Sequence, residues 1–224
     1  MTRRGRAARV AMRPAAPDLA VHRAARLGSG PVALIACGAL AREIVAINAA
    51  NGAEHFALRC LPAILHNHPD RIAPGVEQEI LSAKSEGYET IFVLYADCGT
   101  GGALDAVCAR HGVERLPGPH CYAFFEGVER FAAREEVTAF YLTDFLARQF
   151  EALVIGPLGL DRHPDLREMY FGRYETLVYL AQTEDPALTE KARAAARTLG
   201  LAFERRFTGY GELASALSGS PKYS

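Results

Sequence analysis

A chain of 224 residues, half of them hydrophobic and 23% charged, has the apolar content for one large domain or two small lobes. Its formal net charge of −1 excludes an overall bias toward nucleic acid or anionic membrane. Five cysteines (37, 60, 98, 108, 121) without a signal-peptide pattern argue against a disulfide framework and leave core filling, metal ligation or catalysis.

Charge is unevenly placed. Residues 1–30 hold seven arginines against one acid, Asp18, so this stretch carries +6 and the remainder −7. It is rich in Arg, Ala and Pro and has no core pattern. A disordered basic tail is expected there, with Met12 as an alternative start. It lacks the apolar region of a targeting peptide, and no run approaches 18 apolar residues, so a cytoplasmic protein is expected.

Order is expected from Pro31. "VALIAC", Val32–Cys37, is a continuous apolar run that suits a strand buried on both faces. Helical spacing follows Gly38. "FALRCLP", Phe56–Pro62, reads as a second strand, and "APGVEQEILSAKSEG" as an amphipathic helix. "TIFVLY" is a third strand and "GALDAVCARHG" the next helix. "VERLPGPHCYAFF" leads to a fourth segment, strand-like up to His120; "VERFAAREE" is helical, and "TAFYLTDF" is a fifth apolar run. After about residue 148 the rhythm loosens and then resumes. "ETLVYLAQ" reads as a strand, and "DPALTEKARAAARTLG" as a helix with Asp185 at the N-cap and Gly200 at the stop. "LAFERRFTGYG" reads as a strand and turn. The alternation predicts an α/β fold, a mostly parallel sheet with helices on both faces over residues 31–147, plus a second, smaller α/β lobe over 148–220.

The stretch "IFVLYADCGTGGALDAVC", Ile91–Cys108, has the Rossmann-like order strand, glycine loop, helix that usually cradles a phosphate. Yet the loop carries Asp97 and Cys98 and has no Lys or Arg before Arg110, so no nucleotide is expected. The cysteine positions suggest another cargo. In a parallel sheet all strands end on one edge, where ligands bind. Cys37 ends the first strand, Cys98 the third, and Cys121 sits at the end of the fourth, beside His120; the second runs into "LHNHPDR", with His66 and His68. Three thiols with imidazoles are a soft donor set that suits zinc or an iron–sulfur cluster. Metal ligation by Cys37, Cys98, Cys121 and one histidine is the leading expectation. Plain packing and a metal-free catalytic thiol stay open. In the latter, Cys98 or Cys121 is the nucleophile, His120 or His66 its base and Asp97 an orienting carboxylate. The amides around Gly99, Gly101 and Gly102 then stabilise an oxyanion.

Other residues draw quieter expectations. Cys60, mid-strand, and Cys108, inside a helix, read as packing, and His55 and His111 as solvated turn residues. Asn67 and Arg71 belong to a polar site loop in which Arg71 could bind a carboxylate or phosphate. Asp161-x-His163 lacks the following Gly of cobalt-ligating corrinoid domains and is expected to cap a helix or touch the other lobe. Tyr170, Phe171, Tyr174 and Tyr179 are expected between the lobes.

Taken together, "CGALAREI", "LPAILHNHPDRI", "YADCGTGGALD", "GPHCYAFFEG" and "YLTDFL" resemble the family called domain of unknown function 1638, from about residue 31 to beyond 210. The family pattern of Cys-Gly blocks followed by a His-Cys or His-Asp-Cys block falls on Cys37, His66, Cys98, His120 and Cys121; here "PHC" lacks the intervening residue. The resemblance implies a setting of corrinoid-dependent methyltransferases, including split methionine synthases. The chain is then expected to be a metal-binding accessory or catalytic partner of a corrinoid protein or methyltransferase component, with a small-molecule substrate open. The rivals are a metal-independent Cys-nucleophile enzyme and a non-enzymatic module that docks a corrinoid protein.

Overall fold

The computed structural model describes residues 21–51 and 55–218; the expectations for residues 1–20 lie outside them. Five strands form the first sheet: β1 (Ala25–Leu27), β2 (Val32–Cys37), β3 (Phe56–Leu61), β4 (Thr90–Leu94) and β5 (Glu114–Arg115), in the order β1-β3-β2-β4-β5. β2 through β5 run parallel, and β1 is antiparallel to β3. All six residues of β2 are buried, as its unbroken apolar run requires of a central strand. Around this sheet pack α1 (Ala41–Ala50), α2 (Ile72–Ser85) and α3 (Ala103–His111). α2 turns Ile72, Val76, Ile80 and Ala83 inward, a spacing of three to four residues that makes one apolar stripe.

Two short helices, α4 (Ala123–Glu126) and α5 (Val128–Arg134), lead into the second sheet. Its strands β6 (Ala139–Thr143), β7 (Thr176–Ala181) and β8 (Ala202–Phe207) are all parallel, in the order β6-β7-β8. Between them lie α6 (Asp144–Arg148), a π-helical turn at Glu151–Ile155, α7 (Leu166–Phe171) and α8 (Pro186–Leu199), and after β8 comes α9 (Gly211–Ser218). α8 starts as its sequence demands: Asp185 accepts from the amides of Ala187 and Leu188, and Gly200 closes the helix in the left-handed conformation. No helix among the described residues is long and apolar enough to cross a membrane.

The α/β expectation therefore holds, with a mostly parallel five-stranded sheet and a smaller parallel three-stranded one. Four details differ. Residues 21–30 are not tail: β1 hydrogen-bonds along β3, Val21 is buried, and its carbonyl accepts from Ile64 N at 2.9 Å. The fourth segment is strand only at Glu114–Arg115, because Pro117, Gly118 and Pro119 interrupt the ladder before His120. β6 pairs with β7, so the change of sheet falls before residue 139 rather than at 148. α9 returns to the first core, where Leu213 and Leu217 join the cluster around β2 and β4.

The lobes meet through apolar side chains, with Val21 and Ala63 against Phe145 and Leu153, and Tyr122 and Phe131 against Tyr141. Ionic contacts cross as well, among them Glu43 of α1 to Arg148 of α6 at 3.5 Å. Burial pushes the Glu43 carboxyl up to about 7, against the opposing pull of Arg148 and Arg42 and with Asp144 nearby adding to the rise. The folded state therefore favours the protonated acid. Its contribution to stability is full below the ordinary carboxylate value of 4.5 and is lost as pH rises through about 7. Glu43→Gln is always neutral, so it should gain on the parent protein by about 2–3 kcal/mol between pH 5 and pH 8. Urea unfolding at both pH values measures this; a difference between the two proteins that does not change with pH would rule it out.

Candidate functional site

Four chain segments converge at the C-terminal edge of the first sheet. β2 ends in Cys37. A 3-10 turn after β3, Ala63–Asn67, presents His66. The segment after β4 runs through Tyr95 and Ala96 to Cys98, and the segment after β5 carries His120 and Cys121. Backbone bonds clamp the last two segments together: Asp97 N donates to Gly118 O at 2.9 Å and Cys98 N to Pro119 O at 2.8 Å. Cys98 itself sits in the left-handed region, φ 48°, an uncommon conformation for a residue with a Cβ.

The glycine loop is filled by its own aspartate. Asp97 accepts from Thr100 Oγ1 (2.6 Å), Gly102 N (2.9 Å) and Gly101 N (3.2 Å), and these bonds hold its carboxyl below the usual carboxylate range. The amides that an incoming anion would use are engaged from within. Gly101 and Gly102 have φ of 62° and 85°, and a Cβ at either would meet nothing within 4 Å, so backbone conformation rather than crowding calls for glycine there.

The thiols form one cluster. Cys98 Sγ lies 3.4 Å from Cys121 Sγ, and Cys121 Sγ accepts from Ala96 N at 3.5 Å. Cys37 neighbours Cys121, and His66 and His120 neighbour Cys98, closely enough to shift one another's ionisation. The neighbouring Cys121, reinforced by His120 and His66, outweighs burial and draws the Cys98 thiol down to about 3, while Cys37, Cys98 and burial push the Cys121 thiol well up. Cys37 is drawn down by the neighbouring Cys121, and His66 is raised by the neighbouring Cys98. Ionisation is thus uneven across the cluster, favoured at Cys98 and Cys37 and disfavoured at Cys121. Two buried polar atoms beside it, Tyr95 Oη and His120 Nδ1, have no hydrogen-bond partner.

Among the described residues, no three Cys, His, Asp or Glu side chains stand ready-spaced for a metal ion. The sulfurs instead bond one another. On a tetrahedral zinc with Zn–S of about 2.3 Å, two sulfurs lie about 3.8 Å apart. Cys98 and Cys121 need only part by a few tenths of an ångström, and thiolates with imidazoles are the donors such a metal takes. The donor types are those of a soft metal and the Cys98–Cys121 pair comes near its spacing, while the set as it stands is not arranged around one.

Five of the residues marked by the sequence therefore meet: Cys37, Cys98, Cys121, His66 and His120. Others are elsewhere. Arg71 is exposed, and Asn67 spends its amide on Leu153 O at 3.2 Å, tying the His66 turn to the second lobe. Cys60 and Cys108 are buried in β3 and α3, and burial raises both thiols. His111 is not solvated but bonds Glu77 at 2.8 Å, and Asp161 and His163 are exposed. Of the four aromatics expected between the lobes, Phe171 and Tyr174 face a cavity there, Tyr170 is exposed, and Tyr179 is buried within the second lobe. Tyr95 also stands at the cluster, unmarked in the sequence except as a hydroxyl at the end of an apolar run.

That cavity, of about 310 Å³, lies between the cluster and the second sheet. Cys37, His66, His120 and Cys121 line one end; Phe140, Tyr141, Val154, Leu158 and Tyr174 line the other. One wall is a stack of rings: His120 on Tyr122 (centroids 5.0 Å apart, planes 13°) and Tyr122 on Tyr141 (5.3 Å, 19°).

Neither a curated protein nor a solved structure matches the chain. A family model described as "Protein of unknown function (DUF1638)" matches residues 60–217, which include every residue of the cluster but Cys37.

Proposed function

The chain belongs to the DUF1638 family, and on that premise we propose that it is a metal-binding protein of corrinoid-dependent methyl transfer, acting beside a corrinoid protein or methyltransferase component. Cys37, Cys98 and Cys121 hold zinc or an iron–sulfur cluster, with His66 or His120 as a further ligand. The convergence of three thiols and two imidazoles from four chain segments, with two sulfurs 3.4 Å apart, carries the metal part of this reading. The methyl-transfer part rests on the family resemblance.

When bound, zinc supplies a Lewis acid that activates a thiol, and an iron–sulfur cluster supplies electrons for oxidised cobalt. The chain's own residues prepare the place. Asp97 fixes the loop that presents Cys98, His66 and His120 favour its thiolate, and the apolar second-lobe wall limits water at the sulfurs. A second reading, a metal-free Cys98 nucleophile, is favoured by its left-handed backbone and depressed thiol. The engagement of Gly101 and Gly102 by Asp97 weighs against it, because those amides are not free for an oxyanion.

Anaerobic purification with elemental analysis and an absorption spectrum tests the metal. The expected result is stoichiometric zinc, or iron with acid-labile sulfide; metal-free, active protein would favour the nucleophile. For the pathway, a strain whose only methionine synthase is the split corrinoid type should need this protein for growth without methionine. Normal growth of the deletion strain would remove that role.

A further inference from the structure

The cavity between the lobes has one reactive end and otherwise uncharged, mostly apolar walls. Among the described residues no Asp, Glu, Lys or Arg lines it. On the second-lobe side the Tyr141 hydroxyl donates to Glu136 at 2.5 Å and Thr143 Oγ1 accepts from Leu146 N at 3.3 Å; on the first-lobe side the Asn67 amide donates to Leu153 O at 3.2 Å. An ion placed among Phe140, Val154, Leu158 and Tyr174 would find no counter-charge, and burying an unpaired charge is costly. Soft, ionisable chemistry is gathered at the far end, at Cys37, His66, Cys121 and His120, whose Nδ1 is buried without a partner; elsewhere the polar groups on the lining are neutral ones, among them the phenols of Tyr122 and Tyr174. The volume, about 310 Å³, is at the small end of ligand sites and suits one ring with a short chain.

We propose that this cavity binds a small uncharged molecule with an apolar body, lying against Phe140, Val154 and Tyr174, and a thiol or thioether sulfur directed at the Cys/His end. The sulfur head rests on the metal reading above, since a soft metal held by thiolates takes a further sulfur as ligand. The uncharged apolar body rests on the walls alone.

The test uses the full chain, metal-loaded and chelator-stripped, titrated with phenylmethanethiol, ethylbenzene, phenylacetate and benzylammonium and followed by calorimetry. Both neutral probes should bind, and both charged probes at least about tenfold more weakly. Phenylmethanethiol should exceed ethylbenzene by about tenfold or more in the loaded protein only. Val154→Trp and Leu158→Trp, which fill the cavity from two positions, should each weaken the neutral probes by about tenfold or more; whichever variant melts cooperatively is the informative one. Equal binding of charged and neutral probes, or a folded tryptophan variant with unchanged affinity, overturns the proposal. Phenylmethanethiol no better than ethylbenzene in the loaded protein overturns the sulfur head. If no metal loads, the preference for neutral probes and its loss in the tryptophan variants still decide the body, so failure of the metal reading is told apart from failure of this one.

Discussion

Changing any one of Cys37, Cys98 or Cys121 to serine should weaken metal binding on the order of a hundredfold, while Cys60→Ala and Cys108→Ala leave it unchanged. The five cysteines are all buried and all free, so burial does not separate them. Neighbourhood does. The first three neighbour one another and two histidines, with Cys98 Sγ 3.4 Å from Cys121 Sγ, while Cys60 and Cys108 sit among apolar side chains of the first core. A serine hydroxyl stays protonated where a thiol ionises, so it cannot replace a thiolate ligand. The two packing variants should cost only about 0.5–2 kcal/mol of stability. Competition with a chromogenic chelator gives the affinities, and chemical denaturation gives the stabilities. Uniform metal affinity across all five variants would dissolve the cluster as a metal site.

The largest loss of stability should come from a residue outside the cluster. Asp144, at the start of α6, is wholly buried, yet its carboxylate is well served: Tyr179 Oη donates to it at 2.7 Å, Gln182 N at 3.1 Å and Thr183 Oγ1 at 2.5 Å. The side chain of Gln182 reaches back to accept from Asp144 N at 2.7 Å, which locks the ends of β6 and β7 together. Asp144→Ala strands three donors in the core of the second lobe. A loss of about 3–5 kcal/mol is expected, from the broken network and the unpaired groups. Thr183→Ala removes one donor at the edge of the network and should cost about 1 kcal/mol. Urea unfolding of both variants measures this, and an Asp144→Ala protein within 1 kcal/mol of the parent would refute it.

Much of the first sheet was legible because its strands are buried on both faces. Val32–Cys37 stands where its apolar run put it, and the cysteines at strand ends share one edge because parallel strands leave no other arrangement. What escaped was non-local. Nothing in "ARL" near residue 25 announces a strand, since its pairing is decided by β3. "TAFYLTDF" has the same pattern in either sheet; its partner, β7, comes more than thirty residues later. At the site, residue type identified the soft donors, but not that Asp97 would occupy the glycine loop. That depends on left-handed turns at Gly101 and Gly102, which bend their amides back onto it. The walls of the cavity are ordinary apolar residues of the second lobe, indistinguishable in sequence from core.

The return of α9 changes what counts as a half of this molecule. Gly211 lies so close to Phe125 that a Cβ would stand 2.0 Å from its carbonyl oxygen. Glu212 accepts from Val128 N at 3.1 Å, and Leu213 is fully buried against the first core. In the order of translation the second sheet is therefore a parenthesis, opened after α5 and closed before α9. The first sheet leaves the ribosome early but waits for nearly the whole described chain before its last apolar face is covered. Its thiol edge matures over the same interval, because the cavity wall that faces it is made in between. The two lobes cannot be separated by one cut, and the rim that looks like the property of the early strands belongs to the finished chain.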